Sequence, residues 1–322
     1  MSYPGLELYK KLYLARRCEE YIVKYYPQND MKTPMHMSMG QEAVAVGVCH
    51  AVGSTGLVLA TYRSHAAFLA HTQNVPLFFS ELYGRVNGLA NGKSGSMHLA
   101  DPDHGHWGSS GIVASTIPIA LGLAFAQKRK NTGATTVVFF GDGAIDEGSF
   151  WESINVAALM KLPVLFVCED NGYAVHTPSK KRHGYDSIVD IVGQFRCATF
   201  SDDSNDVESI CNMTQQALSI IQAGGGPVFL HIKCYRYLEH VGINDDMKDA
   251  YRPVEIQEAW LKKDCLVLQR LRLINEQGVE EIVIQQLEEQ VETSIHHSIV
   301  AAKQYSSPDP SQLFHGVFYE EN

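Results

Sequence analysis

The spacing of apolar and polar positions predicts helices near both ends of the chain, with alternating strands and helices between them. Apolar residues recur every three or four positions, as on one face of a helix, in six segments: 5–26, 40–52, 115–128, 146–160, 206–222 and 254–304. Three shorter segments are apolar at nearly every position: 135–140, 163–169 and 227–235. Strands of that composition are typical of a parallel sheet whose two faces are covered by helices.

The order of these elements predicts a doubly wound α/β fold with a mostly parallel sheet. Helix and strand alternate after residue 115, which is typical of parallel units joined by crossover helices. We expect a single domain over 1–322, with an N-terminal helix (1–30), a core (31–250), and a helical C-terminal segment and tail (251–322). Residues 92–111 are rich in glycine, serine and histidine, and this predicts an irregular surface loop with a functional role.

Composition and charge narrow the class of protein. Of the 322 residues, 45% are hydrophobic and 19% are charged, as in a globular protein. The formal net charge of −10 disfavours binding to nucleic acid or to an anionic membrane surface, since both need a basic face. Seven scattered cysteines form no C-x-x-C pair, and no run of 18 apolar residues occurs. We therefore expect a reducing, cytoplasmic location without zinc modules or membrane contact.

Two polar loops follow neighbouring apolar strands. Asp142 lies between two glycines directly after the 135–140 strand, and Asn171 follows the 163–169 strand. The glycines allow a ligand to approach the backbone closely, and the helix expected from residue 146 directs its amide groups toward the same place. Because Mg²⁺ takes six oxygen ligands and usually only one or two carboxylates, the pair suits Mg²⁺ bound to a diphosphate. The alternative is a tight turn and an ordinary loop asparagine.

The spacing of this pair also resembles a known signature. GDG, a spacer of 27 residues and the final Asn of EDN are similar to the thiamine-diphosphate motif. Further matching motifs follow one another along the chain: GQEA at 40–43, YRSH at 62–65, GKSGSMH at 92–98, GIV at 111–113, AALMKLPVLFVCEDNGYAV at 157–175, YRY at 235–237 and YRP at 251–253. Over about residues 5–260 the chain resembles the alpha subunits of the 2-oxo acid dehydrogenase first component, a group that includes the pyruvate, branched-chain and acetoin enzymes. The resemblance implies the diphosphate-binding half of a thiamine-diphosphate-binding fold.

The resemblance also implies the residues of a cofactor site. The Mg²⁺ ligands would be Asp142, Asn171 and the main-chain carbonyl of Tyr173. Six further positions would contact the diphosphate or the aminopyrimidine ring of thiamine diphosphate: Tyr62, Arg63, Gly111, Val113, Gly143 and Ala144. An arginine at such a position makes physical sense, because its planar donors match phosphate oxygens.

Histidines are the implied proton-transfer groups. His36 and His240 match the family's active-site histidines near the reactive carbon of the cofactor, and His240 also counts among the cofactor-binding positions. His65 is a third catalytic candidate and, like Ser115, a pocket neighbour. Imidazole suits proton transfer near neutral pH while the cofactor serves as the electron sink.

Two departures from the family concern the substrate and the metal. Pyruvate-type members have His-Gly-His after the Tyr-Arg-Tyr motif, whereas this chain has Leu238, Glu239 and His240. The first histidine is absent, which leaves the substrate open. Asp170 stands where an asparagine is usual and is expected to add a carboxylate near the metal.

The implied function is that of a dehydrogenase alpha subunit. Such a subunit takes part in oxidative decarboxylation of a 2-oxo acid such as pyruvate, or in acetoin cleavage, with transfer of the acyl group to a lipoyl carrier. In this family the glutamate that activates the aminopyrimidine ring belongs to a beta subunit, so an α2β2 heterotetramer is expected, with a lipoyl-bearing acyltransferase as a second candidate partner. The helices at 41–52 and 115–128 are either parts of the subunit boundary or ordinary core helices. Two alternatives stay open: a biosynthetic lyase, ligase or decarboxylase that uses the same cofactor without a lipoyl partner, and a non-catalytic α/β protein that binds a phosphate ligand.

Overall fold

The computed structural model describes residues 4–246 and 251–317, and the predicted domain limits at 1, 250 and 322 lie outside these ranges. The helices are α1 (Pro4–Tyr25), α2 (Glu42–Val52), α3 (His65–Thr72), α4 (Val75–Leu82), α5 (Thr116–Lys130), α6 (Gly148–Met160), α7 (Ile188–Val192), α8 (Val207–Gln222), α9 (Val254–Leu261), α10 (Cys265–Asn275) and α11 (Glu281–Gln304). The strands are β1 (Leu57–Thr61), β2 (His106–Ser110), β3 (Thr136–Gly141), β4 (Val164–Asp170), β5 (Tyr173–Ala174), β6 (Thr177–Pro178), β7 (Ala198–Asp202) and β8 (Val228–Lys233).

Six of these strands form one parallel sheet in the order β2-β1-β3-β4-β8-β7, while β5 and β6 form a small antiparallel hairpin. From β1 the chain goes to β2 at one edge, and it then returns to place β3 and β4 on the other side of β1. The direction of winding therefore reverses between β1 and β3. In open α/β sheets, ligands bind at such a reversal, beyond the carboxyl ends of the strands.

Both faces of the sheet are buried, because alternate side chains of each central strand point to opposite sides. In β3, Val137 and Phe139 pack with α2 and α8, whereas Val138 and Phe140 pack with α5 and α6. Full burial of a side chain such as Phe140 contributes about 1.5–3 kcal/mol relative to exposure. The doubly wound α/β fold predicted from the apolar strands is thus confirmed.

Five strands and three helices were not predicted from the sequence: β1, β2, β5, β6, β7, α3, α4 and α7. The expectation that residues 92–111 are irregular throughout is wrong for β2, which forms the edge of the sheet beside β1. Its residues are polar, so hydrogen bonds from the neighbouring backbone stabilise the strand in place of apolar packing. The serines are used locally, since the Ser109 hydroxyl donates to the carbonyl of Leu99 at 2.9 Å.

The predicted helical segment at 254–304 consists of three helices. Asp264 begins α10, where its carboxylate accepts hydrogen bonds from the backbone of Leu266 and Val267 at 3.0 and 3.2 Å. Gly278, with a φ of +64°, lies in the turn before α11. α11 packs with α1 and α4 in a separate apolar cluster. No helix in the described ranges combines the length and the apolar character needed to span a bilayer.

Candidate functional site

A cavity of about 310 Å³ opens at the carboxyl ends of β1, β3 and β4, at the reversal of winding. The three strand ends and the residues that directly follow them supply half of its wall: Thr61, Tyr62, Arg63, Gly141, Asp142, Gly143, Ala144, Glu169 and Asn171. Tyr173 of β5, and Val113 and His240 from other loops, complete the set of predicted residues found there. Nine of the predicted site residues thus line one cavity, although the first and last of them, Tyr62 and His240, are 178 positions apart in the sequence.

Asp142 and Asn171 face the same cavity because their strands are adjacent and in register, with Gly141 opposite Glu169. The Asn171 amide is held at both ends: its Nδ2 donates to Gln41 Oε1 at 3.1 Å, and its Oδ1 accepts from the Tyr173 backbone at 3.2 Å. Asp142 is buried. Burial and the charge of nearby Asp170 raise the pKa of Asp142, and its ion pair with Arg182 opposes that rise.

Two glycines shape the walls. At Gly143 an added Cβ would lie 3.1 Å from the Cβ of Ala174, so the bare backbone lets a ligand approach the Asp142–Asp146 turn. Gly40 has a φ of +95°, and a Cβ there would lie 2.3 Å from the carbonyl oxygen of Tyr235. This close approach places the segment that carries His36 beside the segment that carries His240.

His36, Tyr62 and His240 form an aromatic cluster beside the cavity. The ring centroids are 4.6 Å apart for His36 and Tyr62, 5.5 Å for the two histidines, and 5.8 Å for Tyr62 and His240. Arg63 joins the two segments, because its guanidinium donates to the carbonyls of Met37 at 2.7 Å and His240 at 3.0 Å.

The two histidines are neutral near neutral pH. Burial, reinforced by the charge of Arg63, lowers the pKa of His36 to about 3 and that of His240 to about 4. His36 Nδ1 is buried and has no hydrogen-bond partner among the described residues. A buried polar atom of this kind normally meets a water or a ligand. The cluster can therefore accept a proton from a bound molecule or donate a hydrogen bond to it.

His65 has a different environment. It is fully buried, its Nδ1 lies 2.9 Å from Glu19 Oε1, and its Nε2 lies 2.7 Å from Ser96 Oγ. The same Glu19 oxygen accepts hydrogen bonds from the backbone and hydroxyl of Ser38 at 2.7 and 2.9 Å. Both ring nitrogens of His65 are thus in use, and the ring is outside the set of described residues that line the cavity. The geometry favours a positioning role. Through Glu19, Ser38 attaches the segment that carries His36 to α1, and His65 attaches the segment that carries Arg63.

Three other expected residues are not among the described residues that line the cavity. Gly111 is not among the described residues that line the cavity, and a Cβ added to it would lie 3.3 Å from His98 Nε2. The Ser115 hydroxyl bonds to Ser110 and to the carbonyl of Ile112, both at 2.9 Å. Asp170, expected to add a carboxylate near the metal, is close enough for its charge to raise the pKa of Asp142, but its side chain pairs with Lys233 and with His231 at 2.8 Å and is not among the described residues that line the cavity.

The two helices considered for a subunit boundary, α2 and α5, differ in how much of their surface is buried. α2 is an ordinary core helix, buried along nearly its whole length against α8. α5 buries one face on the sheet and leaves Ile119 and Phe125 exposed. The structure therefore supports the core interpretation for α2 and leaves α5 as a candidate contact surface.

Gln41, Glu169 and Arg182 were not selected from the sequence. Gln41 lines the cavity and lies within the GQEA motif, which was a usable signal. Burial raises the pKa of Glu169 to about 8, with Arg63 and Gln41 opposing the rise. No sequence pattern marks Arg182, whose contact with Asp142 spans 40 positions.

The donor set fits Mg²⁺ that is shared with phosphate oxygens. No cluster of three or more His, Cys, Asp or Glu side chains suited to a metal occurs in the described ranges. A site completed by an amide oxygen, a main-chain carbonyl and the oxygens of a ligand needs no such cluster. Asp142, Asn171 and Tyr173 line the cavity and offer those oxygen types.

Comparison with known proteins gives one consistent answer. The family model for the dehydrogenase E1 component matches residues 10–311. The pyruvate dehydrogenase E1 component subunit alpha of Zymomonas mobilis is 32% identical, over 97% of this chain and 88% of its own length. The acetoin:2,6-dichlorophenolindophenol oxidoreductase alpha subunits of Cupriavidus necator and Bacillus subtilis are 32% and 31% identical, over 97% and 98% of this chain and 93% of their own lengths. The chain therefore belongs to the dehydrogenase E1 component family, among thiamine-diphosphate-dependent alpha subunits.

Proposed function

We propose that this chain is the alpha subunit of a thiamine-diphosphate-dependent dehydrogenase that acts on a 2-oxo acid, such as pyruvate, or on acetoin. One observation carries the proposal: a single cavity at the reversal of winding gathers Asp142, Asn171, Arg63 and His240. The set combines oxygen ligands for a divalent cation, a cation for phosphate and a neutral imidazole. Relatives of about 30% identity bear the names of pyruvate and acetoin enzymes.

The strand-end loops would hold the cofactor by its diphosphate. Asp142, Asn171 and the Tyr173 carbonyl would bind Mg²⁺, which neutralises phosphate charge. Arg63 is buried and lines the cavity, so its charge acts on a phosphate in a medium that screens it weakly. Gly143 would let a phosphoryl group lie against the backbone. When bound, thiamine diphosphate supplies the nucleophilic carbon and the electron sink for cleavage of the bond beside the substrate carbonyl.

His36 and His240 would serve as proton carriers. With a pKa near 3 or 4, each ring is a weak base in the free protein. An anionic substrate or diphosphate beside them would stabilise the protonated ring and raise both pKa values toward neutral pH. The proton would be held at a ring nitrogen of His240, whose Nδ1 lies 3.4 Å from Arg63. Tyr62 packs against both rings and fixes their orientation.

The alpha subunits among the relatives imply a beta subunit as partner, and we propose an α2β2 assembly. Exposed apolar side chains occur at the cavity wall, in the loop before α5, and along α5 and α6, which pack on the same face of the sheet: Val113, Ile112, Ile119, Phe125, Val156, Leu159 and Met160. Ile112 and Leu159 are 70% and 71% exposed. Apolar groups in such number support a protein partner on this side. The lipoyl-bearing acyltransferase would act on the completed assembly.

The departure at Leu238 and Glu239 bears on the choice of substrate. Glu239 Oε1 accepts hydrogen bonds from the backbone and side chain of Asn244, both at 2.9 Å. The Glu239 carboxylate thus stabilises the loop to which it belongs, and Glu239 is not among the described residues that line the cavity. The change leaves His240 in place, which supports retention of the dehydrogenase chemistry.

The test is product analysis with the chain co-purified with its beta subunit. Pyruvate, branched-chain 2-oxo acids and acetoin are supplied with thiamine diphosphate and Mg²⁺, with a lipoyl domain or dichlorophenolindophenol as acceptor. We expect acceptor-dependent turnover of one of these substrates. Equal product yield without any acceptor would favour the lyase or decarboxylase alternative, and absence of cofactor binding would favour the non-catalytic one.

A further inference from the structure

Arg182 makes an ion pair with the carboxylate that the proposed function assigns to the metal. Its guanidinium contacts Asp142 Oδ2 and, through its other terminal nitrogen, Asp146. The Ser179 hydroxyl donates to the same Asp142 oxygen at 3.1 Å. Asp142 and Asp146 both line the cavity, whereas Arg182 is not among the described lining residues.

The β5–β6 hairpin places Arg182 there. The chain leaves Asn171, forms the two short strands, and returns through a turn in which the Ser179 backbone donates to the carbonyl of Gly172 at 2.9 Å. The Arg182 backbone then donates to the carbonyl of Ser179, also at 2.9 Å, and its Nε donates to the carbonyl of Thr177 at 3.3 Å. The backbone and the side chain of Arg182 are therefore held by the loop that carries Asn171.

These contacts join the two loops that would supply the metal ligands. Asp142 belongs to the loop after β3, and Arg182 belongs to the loop after β4. The two carboxylate oxygens of Asp142 also differ in their contacts, because Arg182 and Ser179 both donate to Oδ2. Oδ1 is left for the cavity. Groups that bind the second oxygen of a ligating carboxylate fix its orientation toward the metal.

We propose that Arg182 is a positioning residue for the divalent cation, which holds Asp142 by Oδ2 so that Oδ1 faces the metal. The proposal rests on the proposed function, since it requires a metal–diphosphate ligand in this cavity. It assigns Arg182 no contact with substrate or cofactor. Ser179 supports the same orientation with a single hydrogen bond.

The sign of the effect of a mutation separates this role from simple electrostatics. Arg182 brings a positive charge close to the site of another cation. By Coulomb's law alone, deletion of that charge would strengthen binding of Mg²⁺. Loss of a positioning contact would weaken it instead. The two outcomes differ in direction, so they cannot be confused.

The experiment measures Mg²⁺ binding by calorimetry at saturating thiamine diphosphate, with the full chain co-purified with its beta subunit. For Arg182→Gln we expect the Mg²⁺ affinity to fall about 10- to 100-fold, the usual effect of losing a group that orients a metal ligand. Arg182→Lys keeps the charge and should recover part of the loss. The matched control is Lys181→Gln, which removes an exposed positive charge from the same turn and should change the affinity less than about twofold.

Two further measurements distinguish a change at the metal site from a loss of folding. Thermal unfolding of the metal-free variants shows whether the fold is intact. The paramagnetic spectrum of bound Mn²⁺, used in place of Mg²⁺, should broaden or lose intensity in Arg182→Gln and stay unchanged in Lys181→Gln. Unchanged or tighter Mg²⁺ binding by a folded Arg182→Gln protein would overturn the proposal. If the wild-type protein itself shows no Mg²⁺-dependent binding of thiamine diphosphate, the proposed function fails and Arg182 is not the cause.

Discussion

Substitution of His65 by glutamine tests whether this residue positions the site or transfers protons in it. A glutamine amide can reach the position of the ring Nε2 and keep the contact with Ser96, but it cannot replace Nδ1 beside Glu19. The change therefore removes one hydrogen bond, of 2.9 Å, between fully buried groups. A bond to a charged group contributes about 1.5–3 kcal/mol to stability, so the free energy of unfolding should fall by that amount.

Two assays separate the roles. Urea unfolding gives the change in stability, with His297→Gln on the exposed face of α11 as the matched control that should stay near the wild-type value. Steady-state kinetics with the beta subunit give kcat, which should fall less than about tenfold for His65→Gln. A group that transfers protons directly contributes about 10²–10⁴-fold to the rate. Wild-type stability together with a kcat loss above about 100-fold would refute the positioning role.

Three further predictions concern pH and the architecture of the loops. The pKa of His240, about 4, lies below that of an unfolded histidine at about 6.5, so the unfolded state binds more protons and stability should decline as pH falls from about 6.5 to 4. In His240→Gln this decline, measured by urea unfolding at each pH, should be shallower. An identical slope in the variant would contradict the lowered pKa of His240. Glu81 Oε2 accepts from two backbone amides of the 90–95 segment, at 2.8 and 3.0 Å, so Glu81→Gln should lose about 3–6 kcal/mol of unfolding free energy; a wild-type midpoint would argue against the contact. Gly40→Ala should lower both cofactor affinity and stability, because its Cβ would collide with the backbone carbonyl of Tyr235. The control Gly122→Ala, with open space around the added Cβ, should change neither. Equal behaviour of the two variants would contradict the close approach of Gly40 to Tyr235.

The central strands and their helices could be predicted because the relevant signal is local. β3, β4 and β8 are buried on both faces, so their own composition marks them. β2 and β7 lie at the sheet edges, where half-buried or polar residues suffice, and β1 is short. Pairing with a neighbour decides the conformation of such segments, and their sequence alone does not reveal it.

The same distinction applies to the site. Asp142 and Asn171 follow recognisable strands, so their meeting in one cavity could be anticipated from parallel topology. The environment of His65 could not, because Glu19 lies 46 positions away on α1 and its choice of partner depends on tertiary packing. Arg182 reaches Asp142 only through the β5–β6 hairpin, for which the sequence carried no recognised signal.

The most direct test of the central claim is calorimetric titration of thiamine diphosphate into the chain and its beta subunit, with and without Mg²⁺, for wild type, Asp142→Ala and Asn171→Ala. The account predicts Mg²⁺-dependent binding by the wild type. It predicts loss of that dependence in Asp142→Ala and a weaker but measurable dependence in Asn171→Ala, since a neutral amide contributes less to a cation than a carboxylate does. Wild-type affinity and Mg²⁺ dependence in a folded Asp142→Ala protein would contradict the account.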